Sequence, residues 1–263
     1  MALRDGRSDE PILLRTTGLT KSFRGLVALR DQAITLRPRE IVGIIGPNGS
    51  GKSTFFNLIT GFSQPNAGAI EFKGRSIIGM RTSRIVGLGI ARTFQGSRLF
   101  GTLTVAENVL AAAQLREPIG PIASVVRGSL YRRRVAAAEG VATELLDLMG
   151  LTDQAGRLAA DLPYGDQRRL EIARALATRP ELLLLDEPAA GLDSNETKEL
   201  AGLIRTIRDR FGVAVVVVEH DMDLIMGLCE RIQVLATGEV ICVGTPEEVR
   251  NHPRVREAYL GHS

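Results

Sequence analysis

The chain has 263 residues, 44% hydrophobic and 24% charged, with a formal net charge of +3; these proportions exclude collagen-like, mucin-like and disordered classes. Its longest wholly apolar run, Val213–Val218, falls far short of the ~20 residues of a membrane span, and the opening MALRDGRSDEPILLR lacks the apolar core of a signal peptide. Two cysteines without a CxxC pair and three scattered histidines argue against a disulfide scaffold or a zinc site, so a reducing cytoplasm is the expected setting.

In chain order, ILLRTTGLTKSF near the N-terminus and AGAIEFKG after residue 66 read as short strands of an antiparallel flank. IVGII (41–45), LLLLD (182–186) and VAVVVVE (213–219) are continuous apolar runs suited to parallel strands buried on both faces. Between about 105 and 160 no strand pattern is evident; VAENVLAAAQL and RRRVAAAEGVATELLDLMG carry helical spacing and predict a helical insertion. NETKELAGLIRTIRDR (195–210) repeats that spacing at Leu200, Leu203, Ile204 and Ile207, and RIQVLATGEVICVG (231–244) reads as a hairpin around Thr237-Gly238. Strands alternating with helices predict an α/β domain with a largely parallel sheet.

The segment Gly46-Pro47-Asn48-Gly49-Ser50-Gly51-Lys52-Ser53, followed by Thr54, fits G-x-x-x-x-G-K-[ST] between the strand IVGII and the helix STFFNLIT. That context identifies a P-loop: glycines let several backbone N–H groups converge on one anion, and the helix N-terminus adds its positive end. Lys52 is expected to reach the β- and γ-phosphates of a nucleotide and Ser53 to join a Mg²⁺ shell. Basic residues here are almost all arginine, with four lysines in the chain, so Lys52 marks a position that calls for a compact ammonium. Asp186 and Glu187, after LLLL, fall at the open edge of a parallel sheet. Asp186 is the expected metal ligand and Glu187 the group that polarises a hydrolytic water.

Just upstream, Leu162-Pro163-Tyr164-Gly165-Asp166-Gln167, continuing RRLEIARAL, resembles the LSGGQ signature of ABC-type ATPases. Other marks of that family follow in order, and the resemblance spans about residues 12–261, leaving 1–11 as a tail. It implies an α/β P-loop (RecA-like) ATPase core with an antiparallel β flank and a helical subdomain, about 100–180, inserted in it. It also implies ATP and Mg²⁺ as cofactors. Phe23 takes the place of the aromatic that stacks on adenine, Gln95 that of the glutamine touching Mg²⁺, and His220 that of the catalytic switch histidine holding the γ-phosphate. Tyr164, Gly165, Asp166 and Asp193 take positions that face the ATP of a second subunit. Read without the family, Phe23 is a core aromatic, Gln95 and His220 are polar residues near strand ends, and Asp193 is a helix cap. The run Arg132-Arg133-Arg134 is a solvated helix face, or a contact to a partner or to lipid headgroups.

The signature departs from LSGGQ at three positions: Pro163 for serine, Tyr164 for the first glycine and Asp166 for glutamine. Proline removes a hydroxyl and an N–H, so backbone N–H groups around Tyr164 and Gly165 are expected to make the trans contact, with no room for a Cβ at Gly165.

GIARTFQGSRLF, TVAENVL, EPAAGLDSNETKEL and GTPEEVRNHPRVREAYLG resemble the ATPases of branched-chain amino acid importers. Urea and amide importers and lipopolysaccharide exporters are the nearest alternatives. The expected partners are a second ATPase subunit (self or paralogue), a membrane permease and, indirectly, an extracytoplasmic solute-binding protein, at the cytoplasmic face of the inner membrane. A soluble ABC ATPase acting on nucleic acid is the alternative from another class. It would call for a long coiled coil, a zinc insertion or a second P-loop, none of which the sequence contains, and a net +3 is small for a nucleic-acid surface.

Overall fold

The computed structural model describes residues 11–94, 96, 98–115 and 128–260. Six strands form the central sheet in the order β10 (Glu239–Gly244), β9 (Arg231–Ala236), β3 (Ile41–Ile45), β8 (Ala214–Val218), β7 (Leu182–Asp186) and β6 (Ile90–Arg92). All neighbours are parallel except the β9–β10 hairpin. Its turn residues Thr237 and Gly238 have φ of 49° and 82°, the primed-turn geometry that matches strand twist.

The apolar runs are explained by burial on both faces. Ile41, Ile45, Leu183, Leu185, Val215 and Val217 enter one core with the large helices. Their alternates Val42, Ile44, Leu182, Leu184, Val216 and Val218 enter a second core. A period of two divides each strand between two hydrophobic layers, so no position is left for a polar residue until the strand ends.

The second core is closed by α1 (Lys52–Ile59) and by a four-stranded antiparallel sheet, order β2 (Leu26–Leu36), β1 (Leu14–Phe23), β4 (Ala67–Phe72), β5 (Arg75–Ser76). This is the expected flank, with β2 as a long strand that the sequence pattern did not single out. The short β6 and the helix α2 (Thr82–Leu88) before it were likewise unannounced.

The first core is built by α3 (Val105–Ala113), α4 (Ser129–Met149), α5 (Tyr164–Ala177), α6 (Ser194–Phe211) and α7 (Met222–Leu228). Thr104 and Glu107 cap α3 reciprocally, as Asp193 and Glu196 cap α6, each such cap being worth about 1 kcal/mol. Arg132 and Arg133 on α4 are exposed. Two short helices, α8 (Pro246–Asn251) and α9 (Pro253–Leu260), end the described chain. Among the described residues no helix is long and apolar enough to cross a membrane.

Candidate nucleotide site

The parallel strands deliver the predicted residues to one edge. The P-loop leaves β3, Asp186 ends β7, Glu187 follows it, and Glu219 and His220 follow β8; Val218 is in register with both Ile44 and Asp186. Carboxyl ends of adjacent parallel strands are where an open α/β sheet binds ligands.

Gly46 opens the P-loop at φ 154°, and a Cβ there would run into the Leu235 carbonyl, so the backbone passes where no side chain fits. The turn is closed by Ser50 N–H donating to the Pro47 carbonyl and Gly238 N–H donating to the Ser50 carbonyl. Pro47, Asn48 and Gly49 are exposed, as is Ser53, while Thr54 is partly buried. Gly51 caps α1 without a side chain, and the first turn contains no acidic residue; its N-terminal amides and positive dipole end suit an anion.

Lys52 is buried, and its ammonium donates to the carbonyls of Gly46 (2.6 Å) and Pro47 (3.0 Å). Burial pulls its pKa below the usual lysine value, against the opposing pull of Glu187 and Asp186.

Asp186 is held on two sides: its N–H donates to Thr93 Oγ1 (3.2 Å) and its Oδ2 accepts from Arg92 (2.7 Å). Arg92 also donates to Asn57 of α1 (2.7 Å). Asp186 Oδ1 and Ser50 Oγ are buried without a hydrogen-bond partner. An orphaned carboxylate oxygen beside the phosphate loop is the oxygen donor a hard divalent cation takes, so the residues present fit Mg²⁺.

Glu187 has φ 47°, a left-handed conformation uncommon outside glycine and concentrated at functional sites. The segment after it is anchored by Glu219, which the sequence reading passed over. Its buried carboxylate accepts from the N–H groups of Ala189 (2.8 Å), His220 (3.0 Å) and Asp221 (3.4 Å). Burial raises the Glu219 pKa above its usual value, although the three amides and His220 pull the other way. One carboxylate thus ties the backbone beyond Glu187 to that of His220, whose own side chain is 65% exposed. An acidic residue adjoining His220 at the end of an apolar strand was the available signal.

Phe23 is 48% exposed at the end of β1 with the Lys21 ammonium 4.9 Å from its ring centroid, so it is a surface aromatic and not a core one. Gln95 lies outside the described residues.

The altered signature makes contacts within its own chain while Pro163 and Tyr164 remain exposed. The Tyr164 hydroxyl accepts from Arg168 (2.5 Å), and its ring lies against Gly191, where an added Cβ would come within 2.9 Å. An added Cβ at Gly165 would meet Glu196 Oε1 at 3.0 Å and Leu192 at 3.6 Å. Within the single chain, a Cβ at Gly165 is thus already crowded by Glu196 of α6 and by Leu192 just before that helix. Asp166 accepts from Gln154 (2.7 Å), and Asp193 is the N-cap of α6, accepting from Asn195 and Glu196.

Comparison with known proteins agrees with this geometry. The ABC transporter family matches residues 29–190, and the family described as branched-chain amino acid ATP-binding cassette transporter matches residues 239–263. The high-affinity branched-chain amino acid transport ATP-binding protein LivG of Salmonella typhimurium is 45% identical over 251 residues, covering 95% of this chain and 98% of that one. The lipopolysaccharide export system ATP-binding protein LptB of Acidithiobacillus ferridurans is 36% identical over 249 residues, covering 95% and 97%. Among solved structures, a nucleotide-free ATP-binding cassette from an ABC transporter superposes with a TM-score of 0.82 at 29% identity, covering 95% of this chain and 100% of that one. A dimeric, post-hydrolysis ATP-binding cassette bound to ADP and Pi gives 0.76 at 27% identity, covering 89% and 98%. With a phosphate loop, a strand-end acidic pair and these relatives along nearly its whole length, the chain belongs to the ABC transporter ATP-binding family.

Proposed function

We propose that this chain is the ATP-hydrolysing subunit of an importer for branched-chain amino acids, acting as one ATPase domain over residues 12–261 with 100–180 as its helical subdomain. The observation that carries the reading is the gathering of the P-loop, Asp186, Glu187 and the Glu219–His220 pair at one sheet edge, in a chain that is 45% identical to LivG. The lower identity to LptB favours import over lipopolysaccharide export.

In this reading Phe23 stacks on adenine and residues 46–54 wrap the phosphates. Lys52 exchanges its bonds to the Gly46 and Pro47 carbonyls for phosphate oxygens, keeping its charge paired throughout. Ser53, Gln95 and Asp186 would hold Mg²⁺, which supplies charge neutralisation of the β- and γ-phosphates when bound. Glu187 orients and polarises the attacking water, and His220 meets the γ-phosphate from β8. Two subunits close over two nucleotides, each offering the signature end of α5, through the backbone at Tyr164 and Gly165 and with Asp166, together with Asp193, to the other's ATP. The cassette related in fold that is described as dimeric with ADP and Pi supports this arrangement. The subunit works against a permease at the cytoplasmic face of the membrane, with a solute-binding protein engaging that permease from the far side.

The test is reconstitution with the permease subunits and solute-binding protein of a branched-chain amino acid importer from the same organism. ATP-dependent leucine, isoleucine or valine uptake, and ATPase stimulated by the loaded binding protein, are expected. Stimulation by urea, an amide or lipopolysaccharide instead would reassign the cargo, and stimulation by DNA would overturn the transporter reading.

A further inference from the structure

Helix α5 presents Arg168, Glu171 and Arg174 at i, i+3 and i+6, on neighbouring turns of one face. All three reach the segment that follows β6. Arg168 donates to the Phe94 carbonyl (3.3 Å) and to Glu171 Oε2 (2.9 Å). Glu171 Oε1 accepts from the Arg98 N–H (3.0 Å), and Arg174 donates to the Arg98 carbonyl (2.5 Å). The Arg98 guanidinium lies 4.2 Å from the centroid of the Phe94 ring. The Arg168–Glu171 pair is only 6% and 4% exposed, so separating Phe94 and Arg98 from α5 would uncover or orphan a buried ion pair.

The last ligand of Arg168 is the hydroxyl of Tyr164, a group that a glycine at this signature position would lack. The Tyr164 ring in turn rests on Gly191, four residues beyond Glu187.

We propose that Tyr164, Arg168, Glu171 and Arg174 form a clasp that makes the signature helix and the residues Phe94 and Arg98 move as one body, with Arg168 as its central positioning residue. The unusual tyrosine is then a structural link within the chain, running from the loop after Glu187 through Arg168 to the segment that flanks Gln95. A displacement at Gly191 on nucleotide turnover is passed on through contact with the partly exposed Tyr164 ring, and from there through the hydrogen bonds of Arg168 and Glu171. The assignment of that motion to transport rests on the function proposed above; the clasp itself does not.

Hydrogen exchange at the Arg98 amide, measured in the full chain without nucleotide, reads the clasp directly. Arg168→Met removes the guanidinium at similar volume, and Tyr164→Phe removes only the hydroxyl. Losing supporting hydrogen bonds should accelerate Arg98 exchange by roughly three- to tenfold in Arg168→Met and by less in Tyr164→Phe. Amides of β8 such as Val216 should keep their rates. Arg98 exchange that is unchanged in both variants, or that rises no more than exchange at Val216, overturns the proposal. In the assembled transporter Tyr164→Phe should lower kcat with KM for ATP unchanged. A raised KM at unchanged kcat would place the tyrosine on nucleotide instead and overturn it. Failure of leucine to stimulate the complex would remove the transport reading while leaving the exchange result standing.

Discussion

Arg92 and Asp186 form an ion pair across 2.7 Å with side chains only 7% and 3% exposed. The arginine also donates to Asn57 and lies 5.3 Å and 5.0 Å from the ring centroids of Phe56 and Phe94. Its guanidinium thereby connects the P-loop helix, the end of β7 and the start of the segment that α5 clasps. One oxygen of Asp186 accepts from Arg92 and the other is buried without a hydrogen bond, so a single carboxylate oxygen stays available as a ligand.

Removing Arg92 should be costly because the carboxylate it faces stays buried. Arg92→Gln is expected to destabilise the fold by about 3–5 kcal/mol, the usual penalty for orphaning one partner of a buried pair. The double variant Arg92→Gln/Asp186→Asn should recover part of that loss. Urea unfolding of the parent, Arg92→Gln, Asp186→Asn and the double variant checks it; additive losses in the double variant would mean that the pair is not coupled.

Lys52→Ala should abolish hydrolysis and weaken ATP binding by roughly 10- to 100-fold, the worth of a charge-assisted hydrogen bond. Lys52→Arg should rescue neither fully, since a planar guanidinium does not fit where the compact ammonium reaches the Gly46 and Pro47 carbonyls. Equilibrium binding of a fluorescent ATP analogue and phosphate release measure the two effects separately.

The P-loop was legible in the sequence because its chemistry is contained in adjacent residues, and the acidic pair because a strand-end position follows from the apolar run before it. Arg92 was not, since its partner lies 94 residues further on and one arginine among so many carries no local mark. Glu219 escaped for a different reason. Its partners are backbone amides of Ala189 and His220, which have no signature in side-chain pattern. Tyr164 was noticed as a departure, but its direction was not readable, because the contact with Gly191 depends on how α5 packs against the loop before α6. The strand β2 was missed because its alternation is broken: it pairs with β1 through several register shifts, Leu29 and Gln32 are buried three positions apart, and the inward Gln32 is polar.

Glu187→Gln should cut hydrolysis by about 10²- to 10⁴-fold, the range for losing a general base, while leaving ATP binding intact. The amide preserves the shape of a residue held at φ 47°, so the ATP-bound dimer should accumulate. Size-exclusion chromatography with ATP and Mg²⁺ provides the readout. A monomer at saturating ATP would argue for an obligatory paralogue as partner.

Glu219 makes stability fall with rising pH. Its folded-state pKa is raised by burial, so between the unfolded value near 4.5 and the folded one the native state binds more protons than the unfolded state. The derivative of unfolding free energy with pH is then negative. The favourable contribution is complete below the unfolded pKa and is lost as pH rises through the folded pKa. Glu219→Gln lacks this dependence, so its stability deficit relative to the parent should shrink between mildly acidic and neutral pH. Denaturant unfolding of both proteins at the two pH values tests the sign, and parallel shifts would contradict it.

Gly191 separates two effects that usually travel together. It has φ 80°, and a Cβ there would stand 2.9 Å from the Tyr164 ring. Gly79 has nearly the same backbone, φ 77°, with nothing within 4 Å of its would-be Cβ. Gly79→Ala therefore reports the backbone strain alone, about 1–3 kcal/mol for a non-glycine residue in such a region. Gly191→Ala carries that strain and must also displace the tyrosine, whose hydroxyl is bound to Arg168. Its loss should exceed that of Gly79→Ala by about 1 kcal/mol or more, the scale of overpacking a fitted contact. Trimming the ring relieves the overlap, so adding Tyr164→Ala to Gly191→Ala should cost less than adding Tyr164→Ala to Gly79→Ala. The four unfolding free energies form a cycle whose coupling term isolates the Tyr164–Gly191 contact. A coupling near zero would mean that the ring moves aside without resistance and that the loop after Glu187 does not feel the signature helix.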